Sequence, residues 1–401
     1  MSLCVEQKVL LSLLRSSLFG EKIQFPSSKA VNWEVVYKES VSQAVGLLAF
    51  DAISPYEQEL PPNVYESWMQ SAYTSMVNNV QVTASQAELV TLLEDLCVPY
   101  VILKGLSAAA HYPRPDLRLL GDVDFLIDTA DIERVSQALE RAGYSKSGED
   151  HICHITFKKP PAYLELHFSI AGIPEGEKGA LVESEMATVF DRHQKICVDS
   201  DAFFAPCLLQ HALIVLLHMQ GHMLSEGLGL RHLCDWACFV ANTKDDEFWE
   251  KLLILLEKIG LLKYTAIITR TASIYLGAPC PDWAIHADDS LCEAVILDIF
   301  ESGNFGKKDP ARAKSGLLIS QEGKTGAKDG KFKNLYRALH RASSKRYPIV
   351  RRIPLLHPFF DVLHASRYCL LSILGKKPAL DAMFENATQR KALYEQLEVF
   401  R

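Results

Sequence analysis

The stretch Leu119-Leu120-Gly121-Asp122-Val123-Asp124-Phe125-Leu126-Ile127, with Leu103-Lys104-Gly105 ahead of it, sets the architecture of this chain. Two aspartates two positions apart, with apolar residues between and after them, predict a β-strand over about 122–127. Period-2 alternation sends Val123 and Phe125 to one face and both carboxylates to the other. Like charges about 6–7 Å apart along a strand repel each other, so the pair favours a bound cation or a proton. A divalent ion that also holds a triphosphate is one solution, because hard oxygen ligands suit Mg²⁺.

Ahead of this strand, Pro99 ends a helical region, and the run Tyr100-Val101-Ile102-Leu103 predicts a short buried strand that stops at Lys104-Gly105. Residues 107–112 are alanine-rich and predict one short helix. After the acidic strand come a helix over 131–142 and strands over 154–158 and 163–168, with Lys159-Pro160-Pro161 as the turn. Helical periodicity resumes over 208–223, 231–242, 249–259 and 262–276. Three regions follow: an N-terminal helical segment at 1–95, an α+β core at 96–200, and a larger C-terminal helical region at 201–401. Residues 303–334 interrupt the last of these with repeated Gly, Lys and Ser, and are expected to form a mobile basic loop. That loop is read either as a solvated insertion or as a lid over phosphates.

Composition narrows the function classes. At 401 residues the chain can bury an ample core. Its net charge of −7 argues against general nucleic-acid binding, which usually carries a basic surplus. The ten cysteines lie mostly in apolar segments, which suits reduced thiols and a cytoplasmic location. No basic, uninterrupted apolar leader opens the chain, and no run of 18 apolar residues predicts a transmembrane helix. The segment 359–374 is the nearest candidate, and its polar interruptions favour a packed amphipathic helix over a membrane-surface one.

The set Tyr100-Val101-Ile102-Leu103-Lys104-Gly105, Tyr112-Pro113-Arg114-Pro115, Arg118 and Gly121-Asp122-Val123-Asp124-Phe125-Leu126-Ile127 resembles the nucleotidyltransferase superfamily typified by DNA polymerase β. It is most similar to a branch of uncharacterised bacterial nucleotidyltransferases. The resemblance continues through Leu164-Glu165-Leu166-His167, His218 and Leu230-Arg231 to Asp235-Trp236, and reaches 301–306. It implies an α+β fold with a polymerase β-like core and a small mixed sheet. It also implies Mg²⁺ or Mn²⁺ held by Asp122, Asp124 and Glu165, and an NTP, ATP first among them, bound through Lys104, Gly105, Ser107 and Arg118. His167, His218, Arg231 and Asp235 are expected on the acceptor side.

The residues support parts of this independently. Two Mg²⁺ ions about 3.5–4 Å apart neutralise phosphoryl oxygens and activate a nucleophile, and Asp122, Asp124 and Glu165 offer the oxygens. Glu165 and His167 share a strand face by the period-2 rule. Lys104 and Arg118 suit phosphate, but simple ion pairing with Asp122 or Asp116 is the competing reading. His211, His218 and His222 share a helical stripe; zinc ligation is conceivable at this i, i+4 spacing, and Cys234 and Cys238 repeat it. A core role for His211 and His222 competes with that, and Asp235 has Arg231 at i, i+4 as a partner. The expected activity is transfer of an NMP group to a hydroxyl on a small molecule, sugar or peptide, with release of pyrophosphate. A nucleotide-binding regulatory or interaction protein that lost turnover is the alternative.

Overall fold

The computed structural model describes residues 2–23, 25–26, 31–147, 153–306, 308, 336, 339–340, 343–344, 346–347, 349, 353–373 and 390–401. The chain opens with helices α1 (Val5–Phe19), α2 (Trp33–Ser42) and α3 (Gly46–Ile53), then the long α4 (Pro62–Asp95). Helix α1 buries Val9, Leu10, Leu13, Leu14 and Leu18, one apolar stripe at three and four spacing. Helix α4 has 34 residues and so runs about 51 Å. Its first half places Val64, Trp68 and Ala72 in one hydrophobic core, and its second half places Val82, Leu89, Val90 and Leu93 in another. One rigid element thereby joins the two cores.

The sheet contains β1 (Tyr100–Ile102), β2 (Val123–Ile127), β3 (Ser145–Lys146), β4 (His154–Lys159) and β5 (Ala162–His167) in the order β1-β2-β5-β4-β3. Strands β2 and β5 are parallel and the other pairs antiparallel, so the sheet is mixed, as expected. Between β1 and β2 lies the short α5 (Leu106–Ala109), and between β2 and β3 lies α6 (Ile132–Arg141). Val123, Phe125 and Ile127 face the core shared with the end of α4 and with Val135 and Leu139 of α6. Val101, Leu103 and Leu126 face the opposite core, built by the helical layer. Covering both faces explains why every residue of β2 is buried.

After β5 the chain forms α7 (Glu177–Met186) and the hairpin β6 (Gln194–Val198)–β7 (Asp201–Ala205), none of which periodicity announces. Helices α8 (Leu208–Leu224), α9 (Leu230–Asn242), α10 (Asp246–Ile259), α11 (Leu262–Leu276) and α12 (Asp289–Ser302) follow. Their apolar side chains share one core with α1, α2 and α3. A further helix, α13, spans His357–Ile373. Among the described residues no helix is long and apolar enough to cross a membrane, and no disulfide is present.

The expected loop at 303–334 begins differently. Asn304–Gly306 is a 3₁₀ turn packed on α9, where a Cβ on Gly229 would stand 2.8 Å from the Asn304 Cα. Lys308 is held by Glu39 and by the Phe300 carbonyl at 2.7 Å, so this lysine does not serve a lid. Lys324, Lys328, Lys331 and the rest of the segment lie outside the described residues.

A buried ion pair fastens the sheet layer to the helices. Arg118, just before β2, gives Nε–Oδ1 and Nη2–Oδ2 contacts of 2.7 and 2.8 Å to Asp235 of α9, and the Tyr112 hydroxyl donates to the same carboxylate at 2.7 Å. Arg118 is 5% and Asp235 8% exposed, so removing one partner strands the other charge. Asp235→Ala is therefore expected to cost about 3–5 kcal/mol in urea denaturation, and adding Arg118→Met to it should restore part of that loss. Equal stability of wild type and Asp235→Ala would contradict this role.

Candidate active site

Register makes the acidic cluster. In the parallel pairing of β2 with β5, Asp124 lies opposite Glu165 and Leu126 opposite His167. Asp122 immediately precedes β2. Carboxylate oxygens of Asp122, Asp124 and Glu165 lie within 4.8 Å of one another, facing a cavity of about 490 Å³ between the sheet and helices α8 and α9. The loop that delivers Asp122 is held by α4. Asn79 donates to the carbonyls of Asp116 and Arg118, each at 2.9 Å, and its Oδ1 accepts from Leu120 N–H at 2.8 Å. Asn78 donates to the Leu120 carbonyl at 2.8 Å. Sequence reasoning missed these asparagines, because a polar residue inside a long helix carries no mark of its distant partner.

Cations compensate the cluster unequally. Lys104 Nζ lies 2.8 Å from Asp124 Oδ1, and His167 Nε2 lies 2.9 Å from the same oxygen. Burial works against ionising Asp124, yet Lys104 and His167 outweigh it and hold its carboxyl well below the usual range. Asp122 has the opposite fate. The Asp124 charge, and then burial, push it up to about 6. Burial opposes protonation of His167, but its hydrogen bonds to Asp124 and Glu165 prevail and raise its pKa. His154, opposite His167 across the β4–β5 pair, places Nε2 3.5 Å from Glu165 Oε1. It is a cavity residue that the sequence reading omitted. The tight turn at Pro160-Pro161 sets a register in which it faces His167.

The remaining expected residues divide. Gly105 lines the cavity with φ +64°, a conformation that side chains resist, and a Cβ there would meet only the Asp122 carbonyl, at 3.8 Å. Ser107 does not line it: the side chain is buried, and its hydroxyl donates to the Ile102 carbonyl at 2.5 Å, inside the strand-to-helix turn. Arg118 and Asp235 border the cavity but are engaged with each other, rather than Arg118 with Asp116 or Asp122, or Asp235 with Arg231. Arg231 is half-buried in the cavity wall. It donates to the Leu119 carbonyl at 3.4 Å and stacks 5.5 Å from the Phe305 ring, with no carboxylate in an ion pair among the described residues.

Of the histidines, His211 is a core residue, stacked on Phe239 and pushed down to about 3 by burial. Cys234 and Cys238 are likewise core, and burial raises both thiols. His218 and His222 both line the cavity, which overturns the core reading of His222, and His232 of α9 joins them. Phe305, reached through the 3₁₀ turn after α12, packs on His222 and His232.

The charge imbalance has a measurable sign. A folded pKa near 6 for Asp122, against an ordinary 3.8, means that ionising it opposes folding. That cost is absent below about pH 4, grows between pH 4 and 6, and is complete above it. Asp122→Asn should therefore raise the Tm of the metal-free protein at pH 8, with a gain that shrinks as the pH falls to 4.5. A loss of Tm at pH 8, or a gain independent of pH, would contradict the imbalance.

A search of curated proteins finds no match to the chain. Residues 29–277 match a family described as uncharacterised nucleotidyltransferase, spanning the acidic strands and the cavity-lining helices, and the chain belongs to that family.

Proposed function

We propose that the protein moves an NMP group from an NTP, ATP first among them, to a hydroxyl of a small-molecule, sugar or peptide acceptor, releasing pyrophosphate, and that its sheet is a polymerase β-like core. The observation that carries this reading is the convergence in one cavity of three carboxylates, from β2, the residue before it and β5, with Gly105 and an Arg231 that is in no ion pair among the described residues. The donor set fits the implied ion: all three ligands are hard oxygens, and the raised pKa of Asp122 marks negative charge in want of a counter-charge. Asp122, Asp124 and Glu165 would hold Mg²⁺ or Mn²⁺, which when bound neutralises phosphoryl oxygens and makes a hydroxyl more acidic.

The chain's own residues do the rest. His167 donates to Asp124 and fixes the orientation of that carboxylate. Lys104 and Arg231 bring positive charge to the cavity, where phosphate oxygens are their natural partners. Gly105, without a side chain, leaves the turn after β1 open to close approach of a phosphate. An acceptor would enter beside α8 and α9, past His218. One observation favours the inactive nucleotide-binding alternative: Lys104 already neutralises Asp124 with its own ammonium at 2.8 Å.

Calorimetry of ATP with Mg²⁺ or Mn²⁺, paired with mass spectrometry of acceptor mixtures, separates these readings. Asp124→Asn should lose transfer by at least about a thousandfold, since the developing phosphoryl charge loses its counterpart. Glu165→Gln should lose less. Arg231→Ala should weaken ATP binding about tenfold or more and flatten its salt dependence. Wild-type protein that binds neither metal nor ATP would overturn the assignment, and binding without any adduct would favour the inactive alternative.

A further inference from the structure

The wall of the cavity across from the acids carries a histidine cluster of its own. His218 and His222 stand four apart on α8, and His232 lies in the first turn of α9. Their ring centroids are 4.2, 5.2 and 5.4 Å apart, and one ligand nitrogen from each lies within 4.8 Å of the other two. His232 is 2% exposed, and its enclosed Nε2 has no hydrogen-bond partner among the described residues; the same holds for the enclosed His222 Nδ1. Both rings line the cavity, and burial disfavours polar atoms left without a partner.

We propose that His218, His222 and His232 bind a zinc-class transition-metal ion, at a site distinct from the three carboxylates. Three imidazoles are borderline-soft nitrogen donors, which select zinc over magnesium, and three protein ligands leave a fourth position open toward the cavity. A tetrahedral ion needs nitrogens about 3.3 Å apart, so each pair closes by about 1.5 Å at most. Gly229 N–H meets His232 Nδ1 at 3.3 Å, which leaves the ring proton on the enclosed Nε2. Coordination through Nε2 moves that proton to Nδ1 and gives up the long Gly229 contact, with no net change in ring charge. Glu226, with Oε2 3.9 Å from His222 Nδ1, brings a carboxylate beside the cluster. Lys104 and Arg231 face the cluster with positive charge, and Glu226 and Asp124 offset it.

The test uses the full chain, stripped with a chelator and titrated with Co²⁺, then Zn²⁺. Wild-type protein should take up one Co²⁺ with the intense visible absorption of a four-coordinate nitrogen site, and one equivalent of Zn²⁺ should bleach it. His218→Gln and His222→Gln, each checked by circular dichroism for a native fold, should weaken Zn²⁺ binding tenfold or more, while Asp122→Asn should leave it unchanged. A wild-type protein without that absorption would overturn the proposal and needs no variant to fold. So would absorption that survives the double His218→Gln, His222→Gln change, or that disappears instead with His154→Gln, which would put the ion on the carboxylate wall.

Discussion

Repulsion among three carboxylates is the constraint on which this molecule turns. Parallel pairing of β2 and β5 puts Asp124 directly opposite Glu165, and the strand's approach adds Asp122. Strands this apolar do not carry such a cluster without compensation. Compensation is partial and directed: Lys104 and His167 both act on Asp124, which stays ionised, while Asp122 is left carrying the cost. A site that is electrostatically unfinished on one side favours a cation or a proton, whereas a site balanced by internal ion pairs favours neither.

Holding that arrangement requires the two layers to keep their distance and orientation. Three devices converge on the segment from 112 to 122. Helix α4 grips its backbone through Asn78 and Asn79; Arg118 and Tyr112 tie it to Asp235 on α9; Arg231 reaches the Leu119 carbonyl. The cavity is what remains between sheet and helices once those contacts are made. This explains why residues that resemble ligand contacts in the sequence, Arg118 and Asp235 above all, serve first to position the acidic strand.

The acidic strand, its mixed sheet and the flanking helices were legible because each has a local periodicity: alternation for β2, β4 and β5, and three-four spacing for α8 to α11. Strand ends moved by a residue or so, as with Lys159 and His167. The β6–β7 hairpin was not legible, since Gln194–Val198 and Asp201–Ala205 are short and half-exposed and show little alternation. Within the site, Asp122, Asp124 and Glu165 stood out because charge within a strand is rare. Ser107 misled, because a hydroxyl next to a glycine turn looks the same whether it serves a phosphate or the Ile102 carbonyl. His154 and His232 went unseen, and Phe305 was marked only as part of the stretch 301–306, because what gathers them is tertiary: a strand register, a helix crossing, and a turn that bends back onto Gly229.

The cavity that results has opposed walls of different chemistry. Hard oxygen donors gather at the sheet, imidazole nitrogens at the helices, and Arg231 stands among them. Burial and then the Arg118 charge press against protonation of this guanidinium, and Asp235 and Asp122 offset them only in part, so it gains from an anion that meets it. Phe305 supports that guanidinium with its ring face while holding a left-handed backbone (φ +59°) that bulky side chains seldom adopt. Of the nearby carboxylates, Asp124 and Asp235 are taken up by Lys104, His167 and Arg118, and Asp122 acts on Arg231 only through space. On the proposed reading the anion that meets Arg231 is a phosphate, whose oxygens match both its planar fork and a cation held by the acids across the cavity.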